Sequence, residues 1–281
     1  MSPAAPALPL VARTAAELRT VVAGWRRDGA RIGLVPTMGA LHQGHLTLAE
    51  AARRAGADRI LFSIFVNPAQ FGPKEDFSRY PRREAEDLAK LAGIGADLAY
   101  LPTVEEIYPP GFAFSIVPGG PIVADLEAAI RPGHFAGVAT VVAKLLIQAG
   151  ADIAAFGEKD YQQLLLVRRL VRDLDLPCAI LAVPTVRDGD GLALSSRNAF
   201  LTEAQLAVAR RLNRILAEIA AEPGRLAAGP DRLRDAGFDA VDYLVLRDAE
   251  TLADPVPGRP RRLIAAVRLG ATRLLDNLPV A

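Results

Sequence analysis

From residue 31 to residue 186, short apolar runs alternate with segments of helical periodicity, and this alternation constrains the fold more than any other feature of the chain. The runs at 31–35, 59–66, 97–101, 151–157 and 178–186 read as buried strands, and 45–55, 83–92, 137–150 and 160–174 repeat their apolar residues as helices do. Parallel strands need long crossovers, and helices of this length supply them. The expected class is α/β, a doubly wound parallel sheet covered by helices on both faces.

After about residue 186 the pattern changes. A capping box, Thr202 to Gln205, starts a long helix expected over 203–221, and a Pro/Gly-containing linker, "EPGRLAAGP", follows it. The runs "VDYLVLRD", "RRLIAAVRLG" and "TRLLDNLPV" then read as a short antiparallel meander. Two domains are expected, 1–185 and a smaller α+β domain over 186–281. A chain of 281 residues lies in the range where single cores begin to split.

Charge excludes several partners. Thirty-three Lys plus Arg against 32 Asp plus Glu leave a net charge of +1, so no broad cationic field would draw nucleic acid or an anionic membrane. Any anion must be met locally. The single cysteine, Cys178, permits no intrachain disulfide, fits a reducing compartment and reads as a small, inert, buried side chain at the start of a strand. The start "MSPAAPALPLVAR" lacks a basic leader, and no segment offers 18 uninterrupted apolar residues, so a cytoplasmic location is expected.

Three strand-to-helix junctions carry chemistry. "PTMGALHQGHLTL" holds two of the three histidines, His42 and His45, around Gly44, after Met38 and Gly39 leave the strand. Ligands of parallel sheets collect at such strand ends, and a triphosphate suits helix N–H groups and two imidazole donors together. Surface or N-cap histidines are the plain alternative. "FGEKDYQQL" places Lys159 before a helix, with Asp160 and Gln163 at the spacing of a capping pair or of ligand contacts. "LALSSRNAF" offers hydroxyls and the Arg197 guanidinium in a turn, suited to phosphate. In "SIFVNPAQF", Asn67 and Gln70 either orient a small polar substrate or close the Asn-Pro turn. No P-loop occurs, "GIGADL" lacks the third glycine of a dinucleotide fingerprint, and no Cys or His at metal spacing completes a zinc site.

With those segments in view, the chain resembles the pantothenate synthetases (pantoate–beta-alanine ligases) over nearly its whole length. "VPTMGALHQGH", "SIFVNPAQF", "YPR", "RPGHFAGV", "FGEKDYQQL" and "DGLALSSRN" occur in the family's order. The resemblance implies a Rossmann-like first domain, a small C-terminal lid and a homodimer. It implies that ATP and pantoate give pantoyl adenylate, which beta-alanine then converts to pantothenate and AMP. On this sequence it implies ATP contacts from Met38, Gly39, His42, Gly44, His45, Gly157, Glu158, Lys159, Asp160, Val186, Leu194, Ser195, Ser196 and Arg197, with His42, His45, Lys159 and Arg197 catalytic. Gln70, Gln163 and Asn67 would bind substrate, and Glu86 and Asp87 are the nearest match to magnesium-binding acids.

Two departures are visible. Gln43 stands where an acidic residue is often found, and the C-terminal domain is trimmed around "EPGRLAAGP". "GDG" at 189–191 is read as a hinge for the lid. An H-x-G-H nucleotidylyltransferase that stops at AMP transfer and a noncatalytic nucleotide sensor are the rival readings. A tRNA synthetase is disfavoured by near-neutral charge.

Overall fold

The computed structural model describes residues 7–72 and 77–280, and the chain forms two compact units. One comprises Met1–Pro118, Glu127–Gly157 and Leu166–Val183; the other comprises Gly119–Leu126, Glu158–Leu165 and Pro184–Ala281. The last crossing between units therefore falls at Val183, two residues before the expected boundary, and two short earlier stretches join the second unit. The first six residues of the proline-bearing start lie outside the described residues.

In chain order the first part contains β1 (Leu10–Ala12), α1 (Ala15–Arg27), β2 (Ile32–Thr37), α2 (Gln43–Arg54), β3 (Arg59–Ile64), α3 (Glu84–Gly93) and β4 (Leu98–Tyr100). It continues with α4 (Val104–Ile107), α5 (Glu127–Ile130), α6 (His134–Ala149), β5 (Ile153–Gly157), α7 (Tyr161–Asp173) and β6 (Ala179–Val183). The six strands are parallel in the order β1-β4-β3-β2-β5-β6. Strand order reverses between β2 and β5, so the loop leaving Thr37 opens at a topological switch point, where open α/β sheets bind ligands.

The apolar runs become strands because helices cover both faces: Val35, Phe62, Ala99 and Ala155 are buried with Leu48 and Leu91 of the helices. β1 and α1 are additions to the sequence-based expectation. Thr14 caps α1 in a reciprocal box with Glu17, and Leu18, Val22 and Trp25 bury its inner face.

The second unit contains α8 (Glu203–Ala209), α9 (Arg211–Ala221), α10 (Gly229–Asp235), β7 (Ala240–Asp248), β8 (Arg261–Leu269) and β9 (Thr272–Val280). The three strands form the expected antiparallel meander, against which Leu212, Ile215, Leu216 and Ile219 of α9 are buried with Leu263, Val267 and Leu274. The Thr202–Gln205 capping box is present. Two expectations are corrected. The helix over 203–221 is broken at Arg210, where ψ flattens to −18° and the guanidinium holds Asp188 at 3.0 Å and Asp190 at 3.2 Å. The "EPGRLAAGP" linker is ordered as a 3-10 turn, Pro223–Ala228, leading into α10, because each proline sits in a first turn, where its missing N–H costs nothing.

Candidate active site

In the first unit, the segment after β2 is shaped by two left-handed residues in succession, Gly39 at φ 84° and Ala40 at φ 50°. A Cβ on Gly39 would come within 3.0 Å of Ile64 and 3.1 Å of the Asp87 carboxylate. His42 is the N-cap of α2. Its Nδ1 accepts the Gly44 N–H at 3.2 Å, and the His45 Nδ1 accepts the His42 N–H at 3.3 Å. The rings lie 4.1 Å apart between centroids. The capping and ligand readings of these histidines are thus compatible. A ring whose Nδ1 accepts carries its proton on Nε2, so each neutral imidazole is an Nε2–H donor.

Accounting for the backbone changes one expectation. The Gly39 N–H goes to the Thr37 hydroxyl at 3.3 Å, and those of Ala40 and Leu41 go to Asp87 Oδ2 and Oδ1 at 2.9 and 2.7 Å. The His45 N–H goes to the His42 carbonyl at 2.8 Å. The N–H groups of Gly39, Ala40, Leu41, His42, Gly44 and His45 are thus engaged within the protein, and the two imidazoles add side-chain donor chemistry to the loop.

Gln70 and Asn67 divide into ligand candidate and support. Asn67 is 1% exposed. Its amide donates to Gln70 Oε1 at 3.1 Å and to the Gly137 carbonyl at 3.2 Å, and its oxygen accepts from the Ala69 N–H at 3.2 Å and from the Tyr108 hydroxyl at 2.8 Å. All four hydrogen-bonding positions are filled, so Asn67 closes the turn and orients Gln70 rather than binding substrate. The Gln70 Nε2 donates to the Met38 sulfur at 2.9 Å. The Gln70 carbonyl accepts from His134 Nδ1 at 2.8 Å and from Arg131 at 3.2 Å. Burial pushes the Tyr108 phenol up to about 12, its bond to Asn67 opposing, so it stays a donor. His134 and Arg131 come from the "RPGHFAGV" segment, whose backbone role no sequence spacing reveals.

In the second unit, the turn 158–160 is fastened to the meander. Asn277, 2% exposed, donates to the carbonyls of Glu158 and Lys159, each at 2.9 Å. The Glu158 carboxylate pairs with Arg262 at 2.9 Å, and that guanidinium lies 4.2 Å from the Tyr161 ring centroid. The Glu158 side chain is committed to Arg262 of β8. Lys159 reaches Asp160 at 3.4 Å. It lines one small cleft with Ser195, Arg197, Asn198 and Arg273. The Ser195 hydroxyl accepts the Arg197 N–H at 3.3 Å. Val186 and Leu194 are joined by a 2.9 Å backbone bond across a hairpin. Gln163 is part-exposed in the first turn of α7, whereas Gln162 is buried and donates to the carbonyls of Ile122 and Asp125. The "GDG" at 189–191 is the tip of that hairpin, tied by Asp188, Arg187 and Arg210, and lies after the unit boundary; it does not have a hinge's freedom.

Glu86 and Asp87 do not fit a resident metal ion. Both Asp87 oxygens are occupied by backbone N–H groups and the residue is 1% exposed, while Glu86 is exposed and pairs with Arg83 at 3.3 Å. Burial raises the Asp87 pKa, with the two N–H bonds and Lys90 opposing it. Among the described residues no group of three or more His, Cys, Asp or Glu side chains could hold a metal, and no helix is long and apolar enough to cross a membrane. Cys178 is also corrected: it precedes β6 and is only partly buried.

A parallel sheet with an H-x-G-H loop at its switch point and a small antiparallel unit after it defines a Rossmann-like α/β protein of the nucleotide-handling kind. The sequence model for pantoate-beta-alanine ligase matches residues 10–279, and the chain belongs to that family. It is 54% identical to a pantothenate synthetase of Rhodospirillum rubrum, over 98% of this chain and 99% of that one. It is 55% identical to one of Mesorhizobium japonicum, over 97% and 98%. The crystal structure of pantothenate synthetase from Thermus thermophilus matches with TM-score 0.88 and 47% identity, covering 96% of this chain and 98% of that one. The pantoate-beta-alanine ligase of Francisella tularensis, solved with beta-gamma ATP and beta-alanine, matches with TM-score 0.84 and 33% identity, covering 96% and 97%.

Proposed function

We propose that this chain joins pantoate to beta-alanine, using ATP, through a pantoyl-adenylate intermediate. The carboxylate of pantoate attacks the α-phosphorus, pyrophosphate leaves, and the amine of beta-alanine then displaces AMP from the acyl carbon. The observation that carries the reading is the reciprocally capped histidine pair at the switch point of a chain that matches the family from residue 10 to 279.

The obstacle is electrostatic. At about 4 Å and an effective dielectric near 20, carboxylate and phosphate charges repel by roughly 4 kcal/mol per pair. In the proposed division of labour, the Nε2–H groups of His42 and His45 donate to phosphate oxygens without adding charge. The first unit also offers Gln70 to pantoate, held by Asn67, His134 and Arg131. The second unit offers Lys159, Ser195, Ser196 and Arg197 to phosphates and Gln163 to pantoate, with Asp160, Val186 and Leu194 bordering the nucleotide, and Gly157, the last residue of β5 in the first unit, is a further nucleotide contact in this reading. Magnesium is proposed to arrive with ATP, held by its phosphates and not by Glu86 or Asp87. Positioning by these groups is worth more than proton transfer, since orientation supplies up to about 7–11 kcal/mol and general acid catalysis typically 10²–10⁴-fold.

The same proposal includes a homodimer in the cytoplasm. It is motivated by Phe114 and Val117, 86% and 76% exposed on a segment without regular structure. Light scattering that returns the mass of one chain at micromolar concentration removes the dimer.

The deciding assay adds ATP, pantoate and beta-alanine in turn and follows pyrophosphate and AMP separately. Pantoate-dependent pyrophosphate exchange is expected without beta-alanine, and AMP release only with it. His45→Ala should abolish exchange while ATP still binds. Exchange without pantoate, or a His45→Ala enzyme that exchanges at the wild-type rate, refutes the assignment.

A further inference from the structure

We infer that Asp87, together with Lys90 one turn later on α3, is a positioning device that sets the histidine loop for reaction, in place of a metal-binding role. The inference rests on reading Met38–His45 as the nucleotide loop.

Three observations support it. First, both carboxylate oxygens of Asp87 accept consecutive backbone N–H groups, Oδ2 from Ala40 at 2.9 Å and Oδ1 from Leu41 at 2.7 Å. Consecutive N–H groups around left-handed residues form a cradle for an anion, and here a protein carboxylate fills it. Second, Lys90 Nζ donates to the Leu41 carbonyl at 2.7 Å, so one residue, Leu41, is gripped at its N–H by Asp87 and at its carbonyl by Lys90, which holds the peptide groups on both sides of it. Third, the gripped stretch is one that needs holding. Ala40, with φ 50°, sits where a residue bearing a Cβ is strained, and the residue after Leu41 is the N-cap His42, whose own N–H is bound by His45.

The chain of cause runs in one direction. The charge on Asp87 fixes the peptides of Ala40 and Leu41, these fix the main chain of His42, and the His42–His45 box fixes where both Nε2–H groups lie. Asp87 touches no substrate in this account. Its effect is geometric, and a shift of about 1 Å in a catalytic group costs on the order of 10²-fold in rate. Asparagine is the informative replacement because it keeps the size but offers one acceptor where two are used, and sets an NH₂ against a backbone N–H.

The test compares Asp87→Asn, Asp87→Glu and Lys90→Met in pantoate-dependent ATP–pyrophosphate exchange, each over a magnesium titration, with the Leu41 amide proton followed by NMR in the free enzyme. For Asp87→Asn, kcat for exchange should fall about 10²-fold, KM for pantoate should move less than twofold, and the magnesium concentration for half-maximal rate should stay unchanged. The Leu41 amide proton, bonded to a carboxylate in the wild type, should move upfield. Lys90→Met should lower the same kcat by a smaller factor, and the double variant should lose less than the product of the single losses. Asp87→Glu, which keeps the charge at a different reach, should fall between.

Recovery of Asp87→Asn by excess magnesium would overturn the inference in favour of a metal ligand. Wild-type exchange in Asp87→Asn would overturn it outright. If Asp87→Asn does not fold, Lys90→Met decides: an unchanged kcat there overturns the inference. If the wild-type enzyme shows no pantoate-dependent exchange, the failure lies with the proposed function, and the Leu41 amide shift still reports whether the carboxylate holds the loop.

Discussion

Replacing Gly137 with alanine sets two known effects against each other. Gly137 lies in α6, where alanine is intrinsically favoured over glycine by about 0.8–1.0 kcal/mol. A Cβ there would lie 2.2 Å from the Ala69 carbonyl oxygen, 2.5 Å from its carbon and 2.8 Å from the Gln70 nitrogen. A carbon rarely approaches a carbonyl oxygen closer than roughly 3.3 Å, so the two backbones must separate by about 1 Å. The obstacle is main chain, which cannot swing aside as a side-chain tip can. Overpacking of this kind costs about 1–3 kcal/mol, which exceeds the propensity gain over most of that range. The segment that must retreat carries Gln70 and the carbonyl held by His134 and Arg131. Gly137→Ala is therefore expected to lower kcat/KM for pantoate by about 10²-fold, close to 2.7 kcal/mol, with Tm falling by a few degrees. Exchange kinetics at varied pantoate and a thermal melt check both. An alanine variant as stable as wild type, with kcat/KM for pantoate within twofold, refutes the reasoning.

Two other outcomes follow from the same kind of accounting. Asn277→Asp sets a carboxylate oxygen against the carbonyls of Glu158 and Lys159 while keeping an acceptor for Arg262, and Asn277→Ala leaves both carbonyls and the Arg262 Nε–H unpaired at about 1–3 kcal/mol each, so both should destabilise. Thermal melts of both, with KM for ATP measured alongside, test this; an aspartate variant as stable as wild type contradicts it. Cys178 should resist alkylation, because burial, aided by the charge of Asp152, pushes its thiol from 9.0 up to about 12. At pH 8 its thiolate fraction is then about 10⁻⁴ against roughly 10⁻¹ for an ordinary thiol, a difference near 10³-fold. Iodoacetamide labelling as fast in the native enzyme as in urea contradicts that value.

The interior strands are legible in the sequence because burial on both faces makes β2, β3 and β5 largely continuous apolar runs. β1 is not, being a three-residue edge strand with only Ala12 buried, although the Thr14–Glu17 spacing that starts α1 carries a readable signal. The break at Arg210 has no proline or glycine to announce it, since the residues that meet its guanidinium lie some twenty positions earlier. At the site, residue types are legible and hydrogen-bond partners are not. His42 and His45 declare themselves through spacing. Asp87 looks like a metal ligand beside Glu86 until its oxygens are seen to be taken by peptides 46 and 47 residues away. Asn67 likewise looks like a substrate amide until Tyr108 and Gly137 are found to complete its bonds.

The hydrogen bonds within the loop bear on how it would act on phosphate in the proposed reaction. A backbone cradle with vacant N–H groups would have to exchange bound water for phosphate and adjust as charge moves from the carboxylate to the leaving pyrophosphate. Here the N–H groups of Gly39, Ala40, Leu41, His42 and Gly44 are already bound by Thr37, Asp87 and the imidazole Nδ1 atoms, so in the proposed reading the Nε2–H donors rest on a scaffold held within the protein. Donors fixed in advance lose nothing to reorganisation when charge develops, which is the condition under which electrostatic stabilisation is largest.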